Sequence, residues 1–258
     1  MADDLLRSAK DINNDSLQSN VFQMVNSESI KTCHNNAIQL TPKKVAKRGK
    51  KRKRTLIIKE PAQKKESLKK LYKIFKDEQL YHANTPNQLP NNMKKYWNQR
   101  HILYSKYDDG ILLDTESWFS VTPEPIASHV AKRFRGKVIL DPFCGSGGNA
   151  IQFALNSNFV IAIDIDPVKI KIAQNNARIY NVENRIEFIN GDFTKLAKHL
   201  KADIIYLSPP WGGVEYIKNS VYDLSMIMPI GGKEIFGLAS KITPDIIYFV
   251  PKNSDPDQ

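Results

Sequence analysis

Cysteine is nearly absent from this chain. Cys33 and Cys144 are the two in 258 residues, and they lie in unlike surroundings. Two such thiols make no disulfide framework, so a reducing compartment without structural bridges is expected. The five histidines are scattered and no metal-ligand spacing occurs, so no metal is expected. Long apolar runs are missing too: none nears the roughly 20 residues that span a bilayer. The start, Met-Ala-Asp-Asp-Leu-Leu-Arg, has no apolar core of a secretory signal. These lacks predict a soluble intracellular chain with no membrane partner.

Positive charge is scarce in the second half. Residues 101–258 hold 16 Lys and Arg against 18 Asp and Glu, whereas residues 1–100 hold 22 against 9. The net charge of +11 therefore belongs to the N-terminal part. A polyanionic partner, a nuclear address, or both are implied for that part. A near-neutral body argues against a wide nucleic-acid groove and fits a ligand met by a few placed cations. Residues 1–46, rich in Asn, Ser, Gln and Asp, are expected to stay disordered. The run Lys47-Arg48-Gly49-Lys50-Lys51-Arg52-Lys53-Arg54 reads as a nuclear localisation signal or a non-specific RNA-binding patch, with a solvated linker as the bland alternative. Leu68, Leu71, Tyr72 and Phe75 fall at helical spacing, predicting a helix over 66–81.

From residue 93 the texture changes. Aromatics and cations interleave in Lys94-Lys95-Tyr96-Trp97-Asn98-Gln99-Arg100. Trp118-Phe119-Ser120-Val121-Thr122-Pro123-Glu124 then reads as a loop opening a helix to about Arg133, with Thr122 as its cap. Next come expected strands at 137–141, 159–164, 186–190, 203–207 and 245–250, with helices between them at about 148–156, 167–180, 195–201 and 231–240. Apolar strands alternating with helices predict an α/β fold with a doubly wound parallel sheet. The expected organisation is a basic arm over 1–60, a helical extension over 61–135 that contributes to the site, and a main domain over 136–258.

Two constellations carry chemistry. Asp141-Pro142-Phe143-Cys144-Gly145-Ser146-Gly147-Gly148-Asn149 follows a strand and opens a helix, and Asp164 ends the next strand 19 residues beyond Gly145. Glycines permit a tight turn close to a ligand, and an acid at that distance can accept both ribose hydroxyls. The pair indicates a nucleoside cofactor without choosing a dinucleotide over S-adenosylmethionine. Asp166-Pro167 reads as a helix cap only. Asn190-Gly191-Asp192-Phe193 after the third strand adds an acid near the expected adenine. Ser208-Pro209-Pro210-Trp211 closes the fourth strand with a stiff turn and a flat aromatic. Such a turn can hold an exocyclic amine in one plane, which favours a methyl donor.

The strings KYWNQR, WFSVTPE, DPFCGSGGN, IAIDIDP, NGDF and SPPWGGVEY, in this order, resemble the trimethylguanosine synthase family, from about residue 93 to the C-terminus. The resemblance implies a Rossmann-like class I S-adenosylmethionine-dependent methyltransferase. It also implies transfer of methyl groups to N2 of the 7-methylguanosine cap of small nuclear and nucleolar RNAs in the nucleus, with a ribonucleoprotein as partner. By motif it implies donor contacts from Tyr104, Ser120, Thr122, Asp141, Gly145, Asp164 and Asp192. Trp211 would stack on the base with Ser208 and Pro209 at the amine, Asn176 would meet the guanine edge, and Lys95 and Lys252 would approach the triphosphate. Folds of this class carry a hairpin of two more strands after strand five, and this chain stops at Gln258 without them. That departure raises a cap-binding adaptor as an alternative, and another nucleic-acid amino-methyltransferase is the nearest rival enzyme.

Overall fold

The computed structural model describes residues 80–255 except 82, 84, 92, 157–158 and 214–219. The basic run and most of the helix predicted over 66–81 lie outside the described residues. The last two residues of that prediction are not helical: β1 (Leu80–Tyr81) pairs antiparallel with β2 (Leu113–Asp114). Between them lie two four-residue helices, α1 (Lys94–Trp97) and α2 (Arg100–Leu103). The short helix α3 (Ser117–Ser120) and then α4 (Glu124–Ala131) follow β2. Pro123 holds the cap position of α4, and Thr122 does not cap it as predicted. Its hydroxyl instead accepts the Asn149 side-chain amide at 3.1 Å, tying this segment to the glycine turn.

The sheet alternates with helices as the apolar runs require. It comprises β3 (Val138–Asp141), β4 (Phe159–Asp164), β5 (Ile186–Asn190), β6 (Ile204–Leu207) and β7 (Ile246–Tyr248). All pairings are parallel and the order is β5-β4-β3-β6-β7. Successive side chains on a strand point to opposite faces, so each strand feeds two cores. Ile139, Val160, Ala162 and Tyr206 pack on one side with Trp97, Tyr107 and Trp118 of the extension. Leu140, Ile163, Ile205 and Leu207 pack on the other with Phe193 and Ile235. Described residues from Ala83 to Phe134 therefore share an apolar core with the sheet.

The connecting helices are α5 (Gly148–Leu155), α6 (Pro167–Ile179), α7 (Phe193–Leu196) and α8 (Gly232–Ala239). Asp166 caps α6 by accepting the Val168 amide, with Pro167 in the first turn where its missing N–H costs nothing. The helix predicted over 195–201 is displaced. Asp192 accepts the Thr194 amide and hydroxyl and starts α7 at Phe193, and a 3₁₀ turn over Ala197–His199 ends it.

The extension is stapled to the body by polar groups. Asn175 donates to the Gly110 carbonyl at 3.0 Å. Glu124 accepts from the Tyr180 hydroxyl at 2.6 Å and the Ser105 hydroxyl at 2.9 Å. Among the described residues no helix is long and apolar enough to cross a membrane.

Candidate active site

The strand order reverses direction between β3 and β6, and at the carboxyl ends of the strands this leaves a crevice. A cleft of about 770 Å³ opens there. One wall comes from the extension: Lys95, Tyr96 and the segment 116–123. The other comes from the ends of β3 to β7.

The glycine turn explains how the walls come close. Gly147 has φ +88°, and a Cβ there would stand 3.1 Å from Cβ of Ala173 on α6. A Cβ on Gly148 would stand 2.7 Å from Cγ2 of Val121. Only a glycine lets the turn lie against α6 and the extension wall together. Asp164 accepts the Gly145 amide at 2.9 Å and the Asp166 amide at 3.0 Å, which fixes its carboxylate at the cleft. Burial pushes its pKa up, opposed by those amides and by the Lys169 ammonium. The Thr194 hydroxyl, hydrogen-bonded to Asp192, holds that acid below its ordinary range.

On the far side, the Trp211 indole is half-buried and borders the cleft. Its Nε1–H donates to the Phe249 carbonyl at 3.2 Å, and the Phe249 ring backs it at 5.0 Å with a 34° tilt. The Pro210 carbonyl is taken by the Met228 amide at 3.0 Å. The Ser208 hydroxyl makes a long contact of 3.5 Å with the Phe143 carbonyl. Lys95 places its ammonium over the Tyr96 ring, 4.9 Å from the centroid.

Ser120, Thr122, Gly145, Asp164, Asp192, Ser208, Pro209, Trp211, Lys95 and Lys252 all border this one cleft. Three residues singled out in the sequence do not. Asn176 is fully buried and its amide is saturated. It donates to the Leu112 and Ser146 carbonyls at 2.9 Å and accepts the Leu112 amide at 2.9 Å, so no guanine edge can reach it. Tyr104 is buried beneath the glycine turn, its hydroxyl held 3.0 Å from both the Ser146 carbonyl and the Ser146 hydroxyl, and burial drives its phenol far above the usual range. Asp141 is fully buried at the end of β3, just before the same turn.

The cleft also contains residues that the motifs did not single out. Phe143 and Phe193 meet edge to face at 5.8 Å, and Ile165 stands 70% exposed between two acids. The sequence shows an isoleucine set between two acids just past a strand end, but not that it is exposed. Glu116 and Lys169 form an ion pair at the rim, for which spacing offers no signal.

The donor set suits a purine nucleoside: an anchored acid for ribose hydroxyls, apolar rings and an exposed Ile for a base, and amides at a helix start. Among the described residues no group of three or more His, Cys, Asp or Glu could hold a metal ion.

Comparison with known proteins bears on the family and the fold. Residues 136–258 match the family described as RNA cap guanine-N2 methyltransferase. Trimethylguanosine synthase of Schizosaccharomyces pombe is 41% identical over 177 residues, which is 65% of this chain and 74% of that protein. The Saccharomyces cerevisiae trimethylguanosine synthase is 40% identical over 176 residues, 64% of this chain and 56% of that protein. A solved structure assigned as a methyltransferase from Porphyromonas gingivalis W83 superposes with a TM-score of 0.52 at 15% identity, covering 70% of this chain and 47% of that one, and bears on the fold alone. A Rossmann-like sheet, an acid anchored beside a glycine turn and a diproline–tryptophan elbow thus meet in a chain that belongs to the RNA cap guanine-N2 methyltransferase family of the trimethylguanosine synthases.

Proposed function

We propose that this chain methylates N2 of a 7-methylguanosine cap twice, using S-adenosylmethionine, and that its substrates are small nuclear and nucleolar RNAs carried in ribonucleoproteins. The observation that carries the proposal is the Trp211 indole, backed by Phe249 and bordering the same cleft as Asp164.

S-adenosylmethionine supplies a sulfonium-activated methyl group. Asp164 would hold its ribose, with Asp192, Ile165, Phe143 and Phe193 around the purine and the Ser120–Thr122 wall and Gly145 around the rest. The indole face favours a cationic purine over a neutral one through its ring quadrupole. Stacking with that cation is worth roughly 1–3 kcal/mol, a preference of about 10- to 100-fold for the N7-methylated cap. The Pro209 carbonyl accepts no hydrogen bond among the described residues, so it and the Ser208 hydroxyl can take the amine hydrogens and keep the nitrogen in plane. A strong base before attack is unnecessary, because the extra proton leaves after the nitrogen has gained its methyl. Alignment is then the chain's main contribution. Lys95 and Lys252 would meet the triphosphate as point charges, which suits position but not bidentate grip.

RNA carrying a 7-methylguanosine cap and RNA carrying an unmethylated cap are each incubated with labelled donor. The expected outcome is a preference of at least tenfold for the first, and equal labelling would contradict the stacking argument. The basic run over 47–54 supports a nuclear address. A tagged chain with that run replaced by Gly and Ser should lose nuclear accumulation while keeping activity on free RNA.

A further inference from the structure

On the donor side of the cleft, one half-buried ammonium joins two walls that are far apart in sequence through a carboxylate that is 47% exposed. Lys169, in the first turn of α6, has its side chain 17% exposed and donates directly to Glu116. Burial by itself would lower its pKa, but Glu116, Asp114 and Asp164 face the ammonium and together hold it above the ordinary lysine range.

Glu116 governs the extension wall. Its carbonyl accepts the Phe119 amide at 3.1 Å and the Ser120 amide at 3.0 Å. Asp114 accepts the Ser117 amide at 2.6 Å. The turn that carries Ser120, Val121 and Thr122 therefore moves with Glu116. Val121 lies over Gly148, so this turn rests on the glycine segment. Lys169 belongs to the other wall, on the helix that Asp166 caps just beyond Asp164.

We propose that Lys169 is a positioning residue whose ion pair with Glu116 latches the 116–122 wall against the glycine turn and thereby sets affinity for the methyl donor. The proposal rests on the methyltransferase reading and deepens it. Without the pair, the wall visits open states, and donor binding must first select the closed one. Once the wall is closed, the reacting geometry is unchanged, so the loss falls on donor affinity and not on turnover at saturation. Of the cap-side residues, Trp211 and Lys252 lie beyond β6 and β7, and Lys95 sits on α1, outside the 116–122 turn that the pair holds.

The test is equilibrium dialysis of the full chain with labelled S-adenosylmethionine, together with amide exchange over residues 117–121 in the absence of any ligand. Lys169→Met and Glu116→Gln should each weaken donor binding about tenfold and speed exchange over 117–121. The double variant should be no worse than Lys169→Met alone, because both remove one interaction. Lys169→Arg keeps the charge and should stay within about twofold of wild type. KM for capped RNA and kcat at saturating donor should hold within about twofold in all four variants. Wild-type donor affinity in Glu116→Gln, or additive losses in the double variant, would overturn the latch and leave Lys169 acting on Asp164 alone. Failure of the wild-type chain to bind donor would instead overturn the methyltransferase reading.

Discussion

At the scale of single residues, burial decides which polar groups can meet a ligand. Asn176 sits in the last turn of α6, where its sequence neighbours say nothing about which face it occupies. Its partners Leu112 and Ser146 are 64 and 30 residues away. Non-local pairing of this kind is invisible in a one-dimensional reading. Removing the amide strands the Leu112 and Ser146 backbone groups, at about 1–3 kcal/mol for each buried group left unpaired. Asn176→Ala should therefore lower the urea midpoint clearly, with no selective rise in KM for capped RNA. Normal stability with a selectively raised cap KM would restore the guanine contact.

Trp211 is the opposite case, because the motif around it and its position at the cleft agree. Trp211→Ala should reduce turnover by at least 100-fold while the donor dissociation constant stays within about twofold, since the expected loss is stacking of roughly 1–3 kcal/mol plus misplacement of the amine. Joint loss of donor binding and turnover would make the indole a structural wedge between Phe249 and the sheet.

Elements were legible where hydrophobic pattern and length gave a repeat. The five strands and the helices over 148–155, 167–179 and 232–239 carry clear apolar runs or helical spacing, and their bounds lie close to expectation. The helices over 94–97, 100–103 and 117–120 have four residues each, too few to show a period. The start of α7 is set by Asp192 capping, a local signal that the apolar pattern further along outweighed.

Contact between the glycine turn and the extension wall belongs to this scale as well. A methyl on Gly148 would stand 2.7 Å from Cγ2 of Val121, so Gly148→Ala pushes that wall outward. The expected effect is about tenfold weaker donor binding with little change in the unfolding midpoint, since Gly148 carries no positive φ. Val121→Ala removes the obstructing atom, and the double variant should recover most of the affinity. If Gly148→Ala binds donor normally, the wall does not bear on the donor.

For the whole molecule, one buried acid links folding to pH. Asp141 is fully buried at the end of β3, and burial pushes its pKa up to about 7, with Asp164 adding to the rise and the Phe143 and Ala150 amides opposing it. The unfolded value is 3.8, so the folded state holds a proton that the unfolded state releases across the interval between. The resulting stability is fully present below pH 3.8 and is lost as pH rises through 7. Each pH step of one across that interval costs about 1.4 kcal/mol, so the accumulated loss is of order a few kcal/mol at alkaline pH. Asp141→Asn cannot ionise and escapes this loss. Urea unfolding of both proteins from pH 4 to 8.5 should therefore show a gap in favour of the variant that widens up to about pH 7 and then levels. A gap independent of pH would mean that Asp141 is ionised in the folded chain throughout, paired by groups that lower its pKa more than burial raises it.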